Sequence, residues 1–123
     1  MKRDYRLFLQ DIVDACHHIQ NFVQSMDFEQ FESDEKTSSA VIRKLEIIGE
    51  AVKNIPDFIR EKYPQLDWKD MAGMRDRLTH GYFGVDYFLV WETIEHDVPR
   101  VISIISQIIK DLEQEQDTET PGN

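Results

Sequence analysis

Apolar residues recur at three- and four-residue steps along almost the whole chain, and no stretch alternates with the period of two that marks a strand. Tyr5, Phe8, Leu9, Ile12, Cys16, Ile19, Val23 and Met26 fall on one face and predict an amphipathic helix from about Asp4 to Met26. The acidic stretch Asp27 to Thr37 is less periodic. It reads as a short helix or a loop, with Phe28 and Phe31 as anchors and Ser33 or Asp34 as the cap of the next helix. That helix, about Asp34 to Asn54, carries two apolar stripes: Val41, Leu45, Ile48 and Val52, and, offset from them, Ala40, Ile47 and Ala51. A helix with two apolar faces is buried on more than one side, in the bundle core or at a subunit interface. Gly49 costs helix stability, so its use there is a close approach of another helix.

Beyond that point the pattern shortens. Pro56 opens a short helix, Asp57 to Tyr63, that Pro64 ends. Asp67 caps a helix predicted from Trp68 to about His80, with Gly81 just past its end. Gly84 and Asp86 mark a turn and the following cap. Tyr87 to His96 and Val98 to Glu115 are read as two further helices, with Pro99 splitting them or sitting in the first turn of the second. The pattern therefore predicts an all-α protein, a four- to five-helix up-and-down bundle over residues 1–115. Residues 116–123 form an acidic tail expected to fray.

Composition changes this picture in three places. The 24 acidic against 14 basic residues give a net charge of -10, which argues against a general nucleic-acid coat protein. From Ala40 to His80, however, eight basic residues face seven acidic ones, so the acidic excess lies outside the middle. Cys16 is the lone cysteine and falls on an apolar stripe, which makes it a small core residue and excludes an internal disulfide. The N-terminus is dotted with Asp and does not read as a signal sequence. With no apolar run of spanning length, the expectation is a soluble, cytoplasmic protein away from membranes.

Polar chemistry is crowded in Met74-Arg75-Asp76-Arg77-Leu78-Thr79-His80-Gly81-Tyr82-Phe83. Positions five apart on an ideal helix are turned about 140° from each other, so Arg75 and His80 converge only if the helix loosens, the guanidinium reaches around, or a second subunit completes the site. Asp76 and His80, four apart, share a face, and an aspartate there can bond one ring nitrogen and leave the other for proton transfer. An imidazole can move protons at an RNA 2'-hydroxyl or leaving oxygen, and a guanidinium suits the charge that grows on phosphorus. Taken alone, such an Arg…His pair on a helix is more often a salt-bridged or capping surface feature. Among His17, His18, His80 and His96 no pair has metal-ligand spacing with carboxylates or Cys16, so no metal and no cofactor is expected.

Arg75-x4-His80-x-Tyr82 resembles the Arg-x4-6-His signature of HEPN domains, and the tyrosine two after the histidine resembles the HepT branch. Arg43-Lys44-Leu45-Glu46-Ile47-Ile48-Gly49-Glu50-Ala51 is similar to the R-x-x-E-x-I-G-E-A stretch typical of HepT-like proteins. The resemblance covers most of residues 1–115. It implies a HEPN-like homodimer with the Arg-His motifs facing a cleft between subunits. It further implies a toxin of a bacterial toxin–antitoxin pair, acting as a metal-independent endoribonuclease on RNA. The partner it implies is an MNT-type nucleotidyltransferase antitoxin that can transfer AMP to the motif tyrosine. On this resemblance Arg75 and His80 are catalytic, with Asp76 as the polar residue after the arginine and Tyr82 as modification acceptor. Arg77, Glu46 and Arg43 are supporting residues, and Arg75 and Arg77 of both subunits would form a local basic patch. A second reading stays open: a non-catalytic helical partner of a nucleotidyltransferase, with the Arg-His pair binding nucleotide.

Overall fold

Asp4 begins the ordered path by accepting a hydrogen bond from the Arg6 amide at 3.0 Å, which caps helix α1, Tyr5–Phe22. The computed structural model describes residues 3–78 and 84–119. Of the stripe read from the sequence, α1 buries Leu9, Ile12, Cys16 and Ile19, and it buries Val13 beside them. It stops at Phe22, short of the expected Met26, and the chain turns through Ser25, which holds a positive φ of 67°. A reciprocal capping box then starts α2, Phe28–Ser33: the Gln30 amide donates to Asp27 at 2.8 Å and the Asp27 amide to the Gln30 side chain at 2.9 Å. Asp34, not Ser33, caps α3, Glu35–Lys53, by accepting from the Thr37 amide at 3.0 Å.

α3 is the central element. It packs along α1 and also touches α2, α5 and α6, which explains its two apolar stripes. Its C-terminal carbonyls are closed by Arg60, which donates to the carbonyls of Val52 (2.6 Å) and Ile55 (3.0 Å) from α4, Asp57–Lys62. Pro56 sits at the cap of α4, where its missing N–H costs nothing. Beyond α4 the Tyr63 hydroxyl donates to Asp111 at 2.7 Å and the buried Trp68 indole donates to the Tyr63 carbonyl at 2.9 Å.

Two expectations need correction. The helix predicted from Trp68 to about His80 is broken at Gly73 into α5, Trp68–Ala72, and α6, Met74–Leu78. Glycine is the weakest helix former after proline, and here its amide ends α5 by donating to the Lys69 carbonyl at 3.1 Å. The helices expected at Tyr87–His96 and Val98–Glu115 instead form one continuous rod: α7 (Tyr87–Glu92), a π turn (Thr93–Asp97) and α8 (Val98–Glu119). In the π turn the Val98 amide donates to the Thr93 carbonyl, five residues back. The widened turn makes room for Pro99, whose ring would otherwise clash with the carbonyl four residues before it.

The result is the expected all-α bundle with a different division of its helices. Three long segments, α1, α3 and the α7–α8 rod, carry the core, and the short α5 and α6 lie against α3. α2 docks on α7 through aromatic rings: Phe31, fully buried, lies 5.3 Å from Trp91, and Phe28 meets Phe88 edge-on at 5.8 Å. Among the described residues no helix is long and apolar enough to cross a membrane.

Candidate active site

The site is built where α6 crosses α3, and a glycine sets the spacing. A β-carbon placed on Gly49 would lie 3.3 Å from the Ala72 carbonyl oxygen and 3.6 Å from that of Met71. The absent side chain lets the end of α5 settle on α3, as the sequence suggested for this position. α6 starts two residues after Ala72, so this contact also fixes how far Arg75 stands from α3.

Glu46, one turn before Gly49, takes up that distance. Its Oε1 meets Arg75 Nε at 3.0 Å, and its Oε2 accepts from Arg43 Nη1 at 3.2 Å. One carboxylate thus joins the two stretches that the sequence singled out separately. Arg43, Glu46, Glu50 and Lys53 form a polar ladder along α3, and with Gly49, Ala72, Arg75 and Asp76 they line a groove of about 310 Å³. Lys53 closes one end by pairing with Glu50 at 3.2 Å. Asp76 stands in the groove wall.

Arg77 is placed differently. It bonds both carboxylate oxygens of Asp70 on α5, at 2.6 and 2.7 Å, and ties α6 back to α5 across the Gly73 break. Its Nε is buried without a hydrogen-bond partner among the described residues. The basic patch expected from Arg75 and Arg77 is therefore screened within one chain, since each guanidinium faces a carboxylate. The Arg77–Asp70 pair was missed from sequence because it spans a break; the usable signal was the seven-residue spacing, two helical turns.

His80 and Tyr82, together with Thr79, Gly81 and Phe83, lie outside the described residues. Their flanks are described. The Leu78 carbonyl accepts from the Asp86 amide at 3.1 Å, so the chain returns beside the end of α6 before α7 begins. Asp86 caps α7 by accepting from the Leu89 amide at 3.0 Å, as its place in the sequence implied. Gly84 holds φ at +105°, a conformation that side chains rarely adopt.

Other candidate groups fall away. Cys16 is buried in the core and burial pushes its thiol up to about 12, which suits packing and not nucleophilic chemistry. His17 and His18 are exposed on α1, and His96 makes an exposed pair with Glu92 at 3.1 Å.

An all-α bundle that presents an arginine–carboxylate groove between α3 and α6 defines the class. Residues 12–108 match the family model described as Ribonuclease HepT-like, and the chain belongs to the HepT-like ribonuclease family. A Methanocaldococcus jannaschii protein, provisionally named as an RNase, is 52% identical over 113 residues, covering 92% of this chain and 97% of its own. A Thermococcus cleftensis protein named a probable ribonuclease HepT is 48% identical over 99 residues, covering 80% of this chain and 90% of its own. A provisionally named RNase of Caldanaerobacter subterraneus is 43% identical over 105 residues, covering 85% and 94%. No solved structure matches the chain. Family and relatives together support an RNase-type function.

Proposed function

We propose that this protein is a metal-independent endoribonuclease, the toxin of a two-gene toxin–antitoxin pair, acting in the cytoplasm as a homodimer. The observation that carries the reading is the Glu46 bridge: it pairs with Arg75 on the groove, four residues in sequence before the stretch that holds His80 and Tyr82. In this reading Arg75 stabilises charge on phosphorus and His80 moves the protons. The RNA 2'-oxygen attacks phosphorus, the bond to the 5'-oxygen breaks, and the products are a 2',3'-cyclic phosphate and a 5'-hydroxyl. The 2'-hydroxyl gives its proton to one imidazole and the leaving oxygen takes one from a second. A dimer supplies both imidazoles from two copies of His80. Asp76 orients the site from the groove wall, and Arg43, Glu46 and Arg77 support it.

Regulation falls to an MNT-type nucleotidyltransferase partner. The Tyr82 phenol attacks the α-phosphorus of ATP, pyrophosphate leaves, and the tyrosyl-AMP carries new negative charge that repels RNA phosphates. The alternative, a non-catalytic partner whose Arg-His pair holds nucleotide, draws on one observation: the arginines are matched by carboxylates on a chain of net charge -10.

The end groups of cleaved RNA test the proposal. Purified protein with EDTA is expected to yield 2',3'-cyclic phosphate and 5'-hydroxyl ends. Cleavage that vanishes with EDTA and leaves 3'-hydroxyl ends contradicts it. Incubation with the nucleotidyltransferase and ATP is expected to add AMP mass that maps to Tyr82; an unchanged mass rules out modification as the switch.

A further inference from the structure

Glu46 makes two charge-assisted contacts with its two oxygens, one within α3 and one across to α6. Such a bridge can hold the fold together or hold a side chain in place, and the exposures separate the two. The Arg75 side chain is 61% exposed, and an ion pair this open to water adds little to stability. Its effect on orientation is larger. An arginine on an open surface samples many rotamers, and an ion pair with a half-buried carboxylate narrows them.

The arrangement also has the rigidity this task needs. Glu46 itself is only 27% exposed and is held from its other oxygen by Arg43, three residues earlier on the same helix. α3 is the central helix of the bundle, and the Gly49–Ala72 contact fixes the separation of the two elements one turn away.

We infer that Glu46 is a positioning residue for Arg75: their ion pair holds the guanidinium over the groove, where it meets the phosphate at the reaction centre. Arg43 acts behind it by fixing the second oxygen. This rests on the catalytic reading of Arg75 given above, and adds to it the residue on which that role depends.

A double-mutant cycle tests it, with the full chain and one RNA substrate. Glu46→Gln keeps the shape and removes the charge. It is expected to lower kcat by roughly ten- to a hundredfold with KM changed less than about threefold. In the Arg75→Ala background the same substitution is expected to change kcat by less than about twofold, because the group it positions is gone. The melting temperatures of Glu46→Gln and the parent are expected to agree within about 3 °C, which separates positioning from folding. An equal loss in both backgrounds overturns the inference, as does a Glu46→Gln protein with parental kcat. If Arg75→Ala alone cleaves at the parental rate, the catalytic reading itself fails and takes the inference with it.

Discussion

Gly49 lies so close under the carbonyl of Ala72 that a β-carbon there would come within 3.3 Å of the oxygen. The opposing atom is backbone, so relief requires α5 to move. Gly49→Ala sets this crowding against the roughly 1 kcal/mol that alanine gains in a helix interior, and the two nearly cancel. Gly49→Val adds two methyl groups to the same gap. It is expected to destabilise by about 1–3 kcal/mol in urea denaturation. It should also lower RNA cleavage, because α6 carries Arg75 away from Glu46. A Gly49→Val protein as stable as the parent would show that the helices do not meet there.

Trp68 offers a second test, of the joint between α4 and α5. Its indole donates to the Tyr63 carbonyl at 2.9 Å in a buried setting. Trp68→Phe keeps most of the apolar contact and leaves that carbonyl without its donor. The expected cost is about 1–3 kcal/mol. Tyr63→Phe, which removes only the hydroxyl bond to Asp111, is expected to cost about 0.5–1.5 kcal/mol. The order of the two unfolding midpoints checks the assignment.

Stability should fall at both ends of the pH range, for opposite reasons. The Arg6 side chain and then its amide hold Asp4 down to about 2, and the Thr37 amide and hydroxyl lower Asp34. The Tyr63 hydroxyl, followed by Gln107, lowers Asp111. A carboxyl lowered on folding stabilises fully above its unfolded pKa of about 4, and that stabilisation is lost as pH falls towards its folded value. Tyr63 is raised to about 12, first by burial and then by its bond to Asp111. Its contribution is complete below about 10 and is lost as pH rises towards 12. Urea midpoints should therefore drop between about pH 4 and 2 and again above about pH 10. Asp34→Asn, which can still cap α3, should change the midpoint little at neutral pH and lessen the acid drop.

Helices with strong three-four periodicity were legible in the sequence: α1 and α3 bury most of the residues their stripes named. Caps were legible too, at Asp34, Asp67 and Asp86, because a short polar side chain before an apolar run has one local use. What failed were continuities. Gly73 is a mild breaker that the pattern around it hides, and the break follows from α5 lying on Gly49, a contact 24 positions back in the chain. Pro99 reads in the sequence as splitting two helices or sitting in the first turn of the second; it sits in the first turn of α8, and nothing local reveals the π turn that joins α8 to α7. At the site, the arginines and Glu46 were named from motif spacing, but their partners were not. Which carboxylate meets which guanidinium depends on helix separation, and that is a tertiary quantity.

RNA cleavage by His80→Ala and Arg75→Ala, beside the parent and in EDTA, tests the central claim most directly. The parent is expected to cleave, and each variant to lose roughly a hundredfold or more in kcat while keeping its helical content and melting temperature. A folded His80→Ala protein that cleaves at the parental rate would contradict the assignment of the proton-transfer role, and with it the catalytic reading of the site.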